Sequence, residues 1–252
     1  MNRTNTTAQT MFTITDPALA TFNFSDRDNI QITVPAESTW RARYHWHSQG
    51  LGCEQIICTD GHLKVYYVSV FGSGGSGMPR GGSMRFKPGQ RIQWLRDDIF
   101  KPEDLAVTLV ADETLYRNTC SAILDADRFP HLATTPPWLR LLFTMLMWWP
   151  AAQRWLIARL LWVQLQAMHY SHDYSAYHGQ LNVTSWWNWI HRWDWSRPPR
   201  WLVRFQFDSQ TVFSSVVQTA CYWAGRSLLG MKGQYAEYTP QRPGSHMAEI
   251  KC

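Results

Sequence analysis

His45 and His47 stand two apart in the run Arg43-Tyr44-His45-Trp46-His47. Side chains of an extended strand alternate with a period of two, so a strand here projects both imidazoles from one face. A carboxylate follows at Glu54, and a glycine at Gly61. Two histidines and a carboxylate on one side of a divalent ion form a facial set that leaves coordination positions open. Without an ion, the same three groups can accept and donate protons. Other chemistries lack their signatures. There is no Gly-x-Ser-x-Gly elbow to activate a serine. The glycine-rich stretch 72–82 lacks GxxxxGK[ST] and opens no helix, which argues against phosphate cradling. The cysteines Cys53, Cys58, Cys120, Cys221 and Cys252 are odd in number and form no CxxC, so they read as buried thiols rather than a disulfide framework.

The elements that must position these groups change texture along the chain. Residues 1–28 are polar with a few apolar anchors and read as an arm. Residues 29–115 alternate in short runs that predict a small β-sandwich or barrel. Ile30–Val34 alternates and stops at Pro35. Residues 39–47 place Trp40, Ala42, Tyr44 and Trp46 on one side, with Arg41, Arg43, His45 and His47 on the other. Asp60-Gly61, between two apolar runs, predicts a hairpin. Residues 72–82, with six glycines, read as a flexible loop. Further strands are expected at 84–87, 92–95 and 105–111, with Arg91 and Arg96 as solvated rim charges. From 116 to 240 the pattern is helical and rich in tryptophan. Helices are expected over 136–149 and 151–169, with Pro150 at the first position of the second. The Trp-rich stretch 186–201 has no clear period, and a last helix covers 209–229, ended by Gly230. Residues 241–252 form a tail given no function, in which Gly244–Met247 resembles a cloning scar.

The order HxH, Glu54 and Gly61 resembles the first motif of the cupin superfamily. The gap of six residues between His47 and Glu54 is longer than that family's usual three or four. Gly82, Pro88 and Gln93 resemble a degraded second motif, with Gln93 where the family places its last histidine ligand. The resemblance covers about residues 30–112 and implies a small jelly-roll barrel, here with helices appended. The layout is also similar to cupin-like proteins of fungal small-molecule pathways. Their helical extension ends in a segment like Trp223-Ala224-Gly225-Arg226 through Tyr235-Ala236-Glu237-Tyr238. The resemblance implies catalytic roles for His45, His47, Glu54 and Gln93. Tyr44, Lys64, Trp94 and Trp138 are the expected substrate contacts. An amide at Gln93 is a poor ligand, so no cofactor is expected. The alternative is a divalent metal (Fe, Mn, Ni or Zn) on His45, His47 and Glu54.

A barrel of this kind encloses an apolar pocket with few polar groups. The expected activity is a non-redox isomerisation, dehydration or cyclisation, pericyclic ring closure of the Diels–Alder type included, of a polyketide- or terpenoid-like molecule. An Fe(II) oxygenase and a non-catalytic binding or membrane-peripheral protein are the alternatives. With 24 Lys+Arg against 19 Asp+Glu, the net charge is +5. No basic block exists, which argues against nucleic acid. The polar first ten residues lack a signal-peptide core, so a cytoplasmic location is expected. Residues 138–204 hold 11 of the 15 tryptophans and seven arginines against two aspartates. That surplus of apolar surface calls for a cover, and the barrel mouth or a homodimer partner is expected ahead of a membrane. The longest uncharged apolar run, 141–153, falls short of the ~18 residues a bilayer span needs.

Overall fold

The computed structural model describes residues 3–15, 18–26, 29–42, 45–47, 54–69, 72–87, 90–97, 103–111, 113–172, 174–176, 199–233, 235 and 237–238. Ten strands precede the helices: β1 (Met11–Ile14), β2 (Ala20–Asn23), β3 (Ile30–Val34), β4 (His45–His47), β5 (Glu54–Asp60), β6 (Leu63–Ser69), β7 (Gly72–Met78), β8 (Ser83–Phe86), β9 (Arg91–Arg96) and β10 (Leu105–Val110). An eleventh, β11 (Tyr174–Ala176), comes from within the helical part. They form two antiparallel sheets, β1-β2-β3-β10-β5-β8 and β11-β4-β9-β6-β7.

Alternation drives the assembly. Ile30, Ile32 and Val34 of β3, Ile56 and Cys58 of β5, and Leu105, Val107 and Leu109 of β10 point inward from the first sheet. Leu63 and Val65 of β6 and Ile92 and Trp94 of β9 meet them from the second. Each such side chain stabilises the fold by about 1.5–3 kcal/mol on burial. The sheets thus close the expected β-barrel around one packed core. The N-terminal residues are part of it rather than an arm around it. Phe12, Ile14, Ala20 and Phe22 alternate inward on β1 and β2, and Phe12 meets Phe24 edge-on at 5.5 Å.

Two local expectations are corrected. Asp60-Gly61 turns the chain as expected, with Gly61 at φ 74°, but β5 and β6 do not pair. Each finds its partners in a different sheet, so the turn is an arch between sheets and not a hairpin. The glycine-rich segment is not a loop. Residues 72–78 pair with β6 along its whole length, from Ser69↔Gly72 to Leu63↔Met78. Its glycines supply room where Tyr66 and Tyr67 lie over the strand; a Cβ on Gly74 would collide with the Tyr67 ring. The side-chain signal for this strand sits on its neighbour, which hides it from a reading of 72–78 alone.

The helical part contains α1 (Glu113–Leu124), a 3₁₀ turn (Ala126–His131), α2 (Pro137–Met145), a second 3₁₀ turn (Leu146–Trp148), α3 (Pro150–Ser171) and α4 (Arg200–Leu228). Pro150 starts α3 as expected. The final helix begins at Arg200, ahead of residue 209, because Pro199 pre-sets its entry. Helix α1 opens the helical part three residues ahead of 116, but sequence reading gives it no bounds of its own: its buried face includes Arg117, Asn118 and Ser121, which break the apolar period.

Three attachments hold these helices to the barrel. Arg117 on α1 donates to Glu113 (2.7 Å) and to the Gln9 carbonyl (2.6 Å). Arg91, expected at the rim, is buried beneath α4. It donates to the Phe207 carbonyl (2.6 Å), to Thr211 (2.7 Å) and to Gln210, and its guanidinium lies 3.9 Å from the Phe207 ring centroid. Arg96, also expected at the rim, donates within the barrel to the Pro35 carbonyl at 2.7 Å and attaches no helix. Finally, β11 returns to pair with β4.

Both ends of the described chain meet at Asp125. Its Oδ2 accepts from the Thr4 amide (3.0 Å) and the Tyr238 hydroxyl (2.8 Å), and its Oδ1 accepts from the Thr4 hydroxyl (2.5 Å). Arg3 donates to Tyr238 (2.9 Å) and Tyr235 (3.0 Å) and stacks 3.8 Å from the Tyr235 ring centroid.

Candidate functional site

The HxH strand β4 lies between β9 and β11. The ladder sets His45 opposite Ile92 on one side and Ala176 on the other, with His47 opposite Tyr174. Tyr44 and the side chains of His45 and His47 lie outside the described residues. Glu54 opens β5 opposite Phe86 and is 3% exposed, on the inward face it shares with Ile56 and Cys58. A carboxyl group is thus built into a wall that is otherwise apolar.

Gln93 does not join it. In β9, Ile92 and Trp94 are buried in the core, so Gln93 occupies the opposite face, across from Tyr66. A shift of one residue exchanges the two faces of a strand. The residue that the ladder presents to His45 is therefore Ile92. The alternation Ile92-x-Trp94 is the sequence signal for this register, and it outweighs the spacing from Gly82 and Pro88.

The expected substrate contacts are dispersed. Trp94 is wholly buried, 5.0 Å from the Trp40 ring, and is a core residue. Lys64 sits on the outward face of β6, its ammonium 5.5 Å from the Tyr66 ring centroid. A hydrogen bond with Tyr66 raises its pKa above the ordinary lysine value, so it stays charged and is no proton acceptor at neutral pH. Trp138 is exposed on α2, far from roofing the core. Cys58 faces inward, with its thiol directed at the Gly61 and Asp60 carbonyls at 3.4 and 3.5 Å. Burial raises its pKa, which keeps it a thiol and unreactive.

Of the three candidate ligands His45, His47 and Glu54, only the Glu54 side chain lies among the described residues. Ile92 and Trp94 bring no donor atom, Gln93 faces away, and no group of three His, Cys, Asp or Glu side chains gathers among the described residues. Outside the barrel, a cleft of about 570 Å³ opens between α3 and α4, lined by Tyr170, Ser171, Tyr222, Arg226, Lys232 and Gly233. Ser171 donates to the Met168 and Gly233 carbonyls at 2.9 and 3.0 Å, so its hydroxyl is engaged in structure.

No family model matches the chain, and no curated protein matches it either. Solved structures do. The Drosophila melanogaster CENP-C cupin domain is similar at 12% identity over 44% of this chain and 81% of that one, with a TM-score of 0.32. The same protein is known bound to CAL1. The capsular polysaccharide assembling protein CapF from Staphylococcus aureus is similar at 11% identity over 39% of this chain and 27% of its own, with a TM-score of 0.31. Fe(II) HppE in complex with substrate is similar at 13% identity over 32% of this chain and 43% of its own, with a TM-score of 0.24. At these values the likeness adds nothing to what the sheets themselves establish.

Proposed function

We propose that the protein is a barrel enzyme that moves a proton on an apolar small molecule, in a non-redox isomerisation, dehydration or ring closure. One observation carries this reading: Glu54, 3% exposed, is held on the inward face of β5 among apolar side chains. A carboxyl group placed in a water-poor interior is costly and needs compensation, and it is suited to general acid–base work. Its place at the start of β5, the next described strand after the HxH strand, supports His45 and His47 as its partners in that work. Ile92 at the register position facing His45 supports chemistry without a metal. Polyketide- or terpenoid-like carbonyl compounds are the substrate class such an apolar wall suits.

The test is solvent exchange. The protein is incubated in D₂O with a panel of apolar polyketide- and terpenoid-type ketones, and carbon-bound deuterium is read by mass spectrometry. Exchange should fall by about 10²-fold or more in Glu54→Gln while the thermal midpoint holds. Equal exchange in the variant and the parent would remove Glu54 from the chemistry. The non-catalytic reading is favoured by a different observation, the dense filling of the barrel by Phe12, Ile32, Leu63 and Trp94, all fully buried. Absence of exchange with every compound would favour it.

A further inference from the structure

The α2–α3 hairpin carries exposed apolar side chains on the side turned away from its packed face. On α2, Leu139 and Phe143 pack inward with Leu160 of α3, yet Trp138, Leu141 and Met145, at helical spacing on the other side, are exposed. The connecting turn adds Met147, Trp148 and Trp149, the two tryptophans 86% and 72% exposed, and α3 adds Trp155. Together they are seven large exposed apolar side chains within residues 138–155. No described part of the barrel covers these side chains, which corrects the expectation of the barrel mouth as their cover. Soluble surfaces rarely leave such patches bare.

Charge decides between the candidate covers. Residues 136–171 contain Arg140, Arg154 and Arg159 and no aspartate or glutamate. Arg140 is tied to the Leu132 and Ala133 carbonyls, at 3.0 and 2.9 Å. Arg154 and Arg159 are exposed beside Trp155, with the Arg159 guanidinium 5.3 Å from that ring's centroid. A two-fold dimer through this patch would set it against its own copy. Arginine would then oppose arginine, with no carboxylate on the hairpin to separate them. An anionic partner suffers no such conflict. Tryptophan is also the side chain best suited to the boundary between headgroups and acyl chains, with an apolar body and one polar N–H. No helix among the described residues is long and apolar enough to cross a membrane, so contact from one side is the geometry on offer.

We propose that the tip of the α2–α3 hairpin docks on the surface of an anionic phospholipid bilayer. Trp148, Trp149 and the neighbouring methionines enter the interfacial layer, while Arg154 and Arg159 meet lipid phosphates. This is independent of the chemistry assigned to the barrel.

The experiment is co-sedimentation of the full chain with phosphatidylcholine vesicles, either pure or containing about 30% phosphatidylserine. The protein should bind the anionic vesicles more tightly, and binding should weaken with added salt. The double variant Trp148→Ala, Trp149→Ala should lower partitioning by about 10-fold or more; the high exposure of both residues leaves the fold intact, which circular dichroism checks. The double variant Arg154→Glu, Arg159→Glu should lose the preference for anionic vesicles. No binding to either vesicle, or unchanged binding by the tryptophan variant, overturns the proposal. So does a lipid-free dimer, seen by sedimentation velocity, that the tryptophan variant dissolves, because that result gives the face to a second copy.

Discussion

Replacing Asp125 with alanine should loosen both ends of the described chain at once. The carboxylate is 1% exposed and accepts from the Thr4 amide, the Thr4 hydroxyl and the Tyr238 hydroxyl, with Arg128 at 3.6 Å. Hydrogen bonds to a charged group contribute about 1.5–3 kcal/mol each. They do not simply add here. Thr4 is only half-buried, so water takes over part of its bonding, and removing the carboxylate also removes its desolvation cost. Tyr238 is fully buried and has no such recourse for its hydroxyl proton. A net loss of about 3–4 kcal/mol follows, or a fall of about 1 M in the urea midpoint. Asp125→Asn separates geometry from charge. With its oxygen in the Oδ2 position it still accepts from the Thr4 amide and Tyr238, and its NH₂ faces a Thr4 hydroxyl that can rotate to accept. It should cost only about 1 kcal/mol. Urea unfolding followed by far-UV circular dichroism measures both variants. Limited proteolysis should show earlier cleavage near residue 4 and near residue 235 in the alanine variant. A loss below about 1 kcal/mol for Asp125→Ala, or equal damage from both substitutions, would refute the reasoning.

Two further outcomes rest on the core and the arch. Burial raises the pKa values of Cys120, Cys58 and Cys221 and of Tyr235 and Tyr238, from ordinary values of 9.0 for the thiols and 10.0 for the phenols. Their protonated forms belong to the folded state, so this contribution is whole below pH 9 and shrinks as the unfolded chain ionises above it. Cys120 alone, fully buried, should remove about 1.4 kcal/mol per pH unit there; denaturation midpoints that stay flat from pH 8.5 to about 10.5 would contradict this. Gly61→Ala sets a Cβ against the Asp104 carbonyl at a φ of 74° and should cost about 1–3 kcal/mol, and an unchanged urea midpoint would mean that the arch tolerates a side chain.

Much of the barrel is legible because alternation and burial obey the same period. Ile30–Val34 and residues 105–111 read as strands, and Ile30–Val34 and Leu105–Val110 are strands, since every second residue must meet the opposite sheet. What fails to read locally is whatever depends on a distant partner. The strand at 72–78 exists because Tyr66 and Tyr67 lie over its glycines. The arch at Gly61 looks like a hairpin because only the destinations of β5 and β6 tell the two apart. Arg91 looks like a surface charge because its acceptors, on α4, lie more than a hundred residues away. In the candidate site, the inward place of Glu54 follows from Ile56 and Cys58 beside it. Motif spacing points to Gln93, and the strand's own alternation assigns that place to Ile92.

The knot of contacts around Asp125 also bears on how the chain comes off the ribosome. Arg3 is synthesised well before its partners Tyr235 and Tyr238, which come more than 230 positions later. At roughly 5–20 residues per second, Arg3 waits on the order of tens of seconds for the segment that closes over it. Asp125 emerges midway and can engage Thr4 alone, which gives the nascent barrel a provisional clasp. Tyr238 then completes it, so Arg3 is secured only when the segment around Tyr238 has been synthesised.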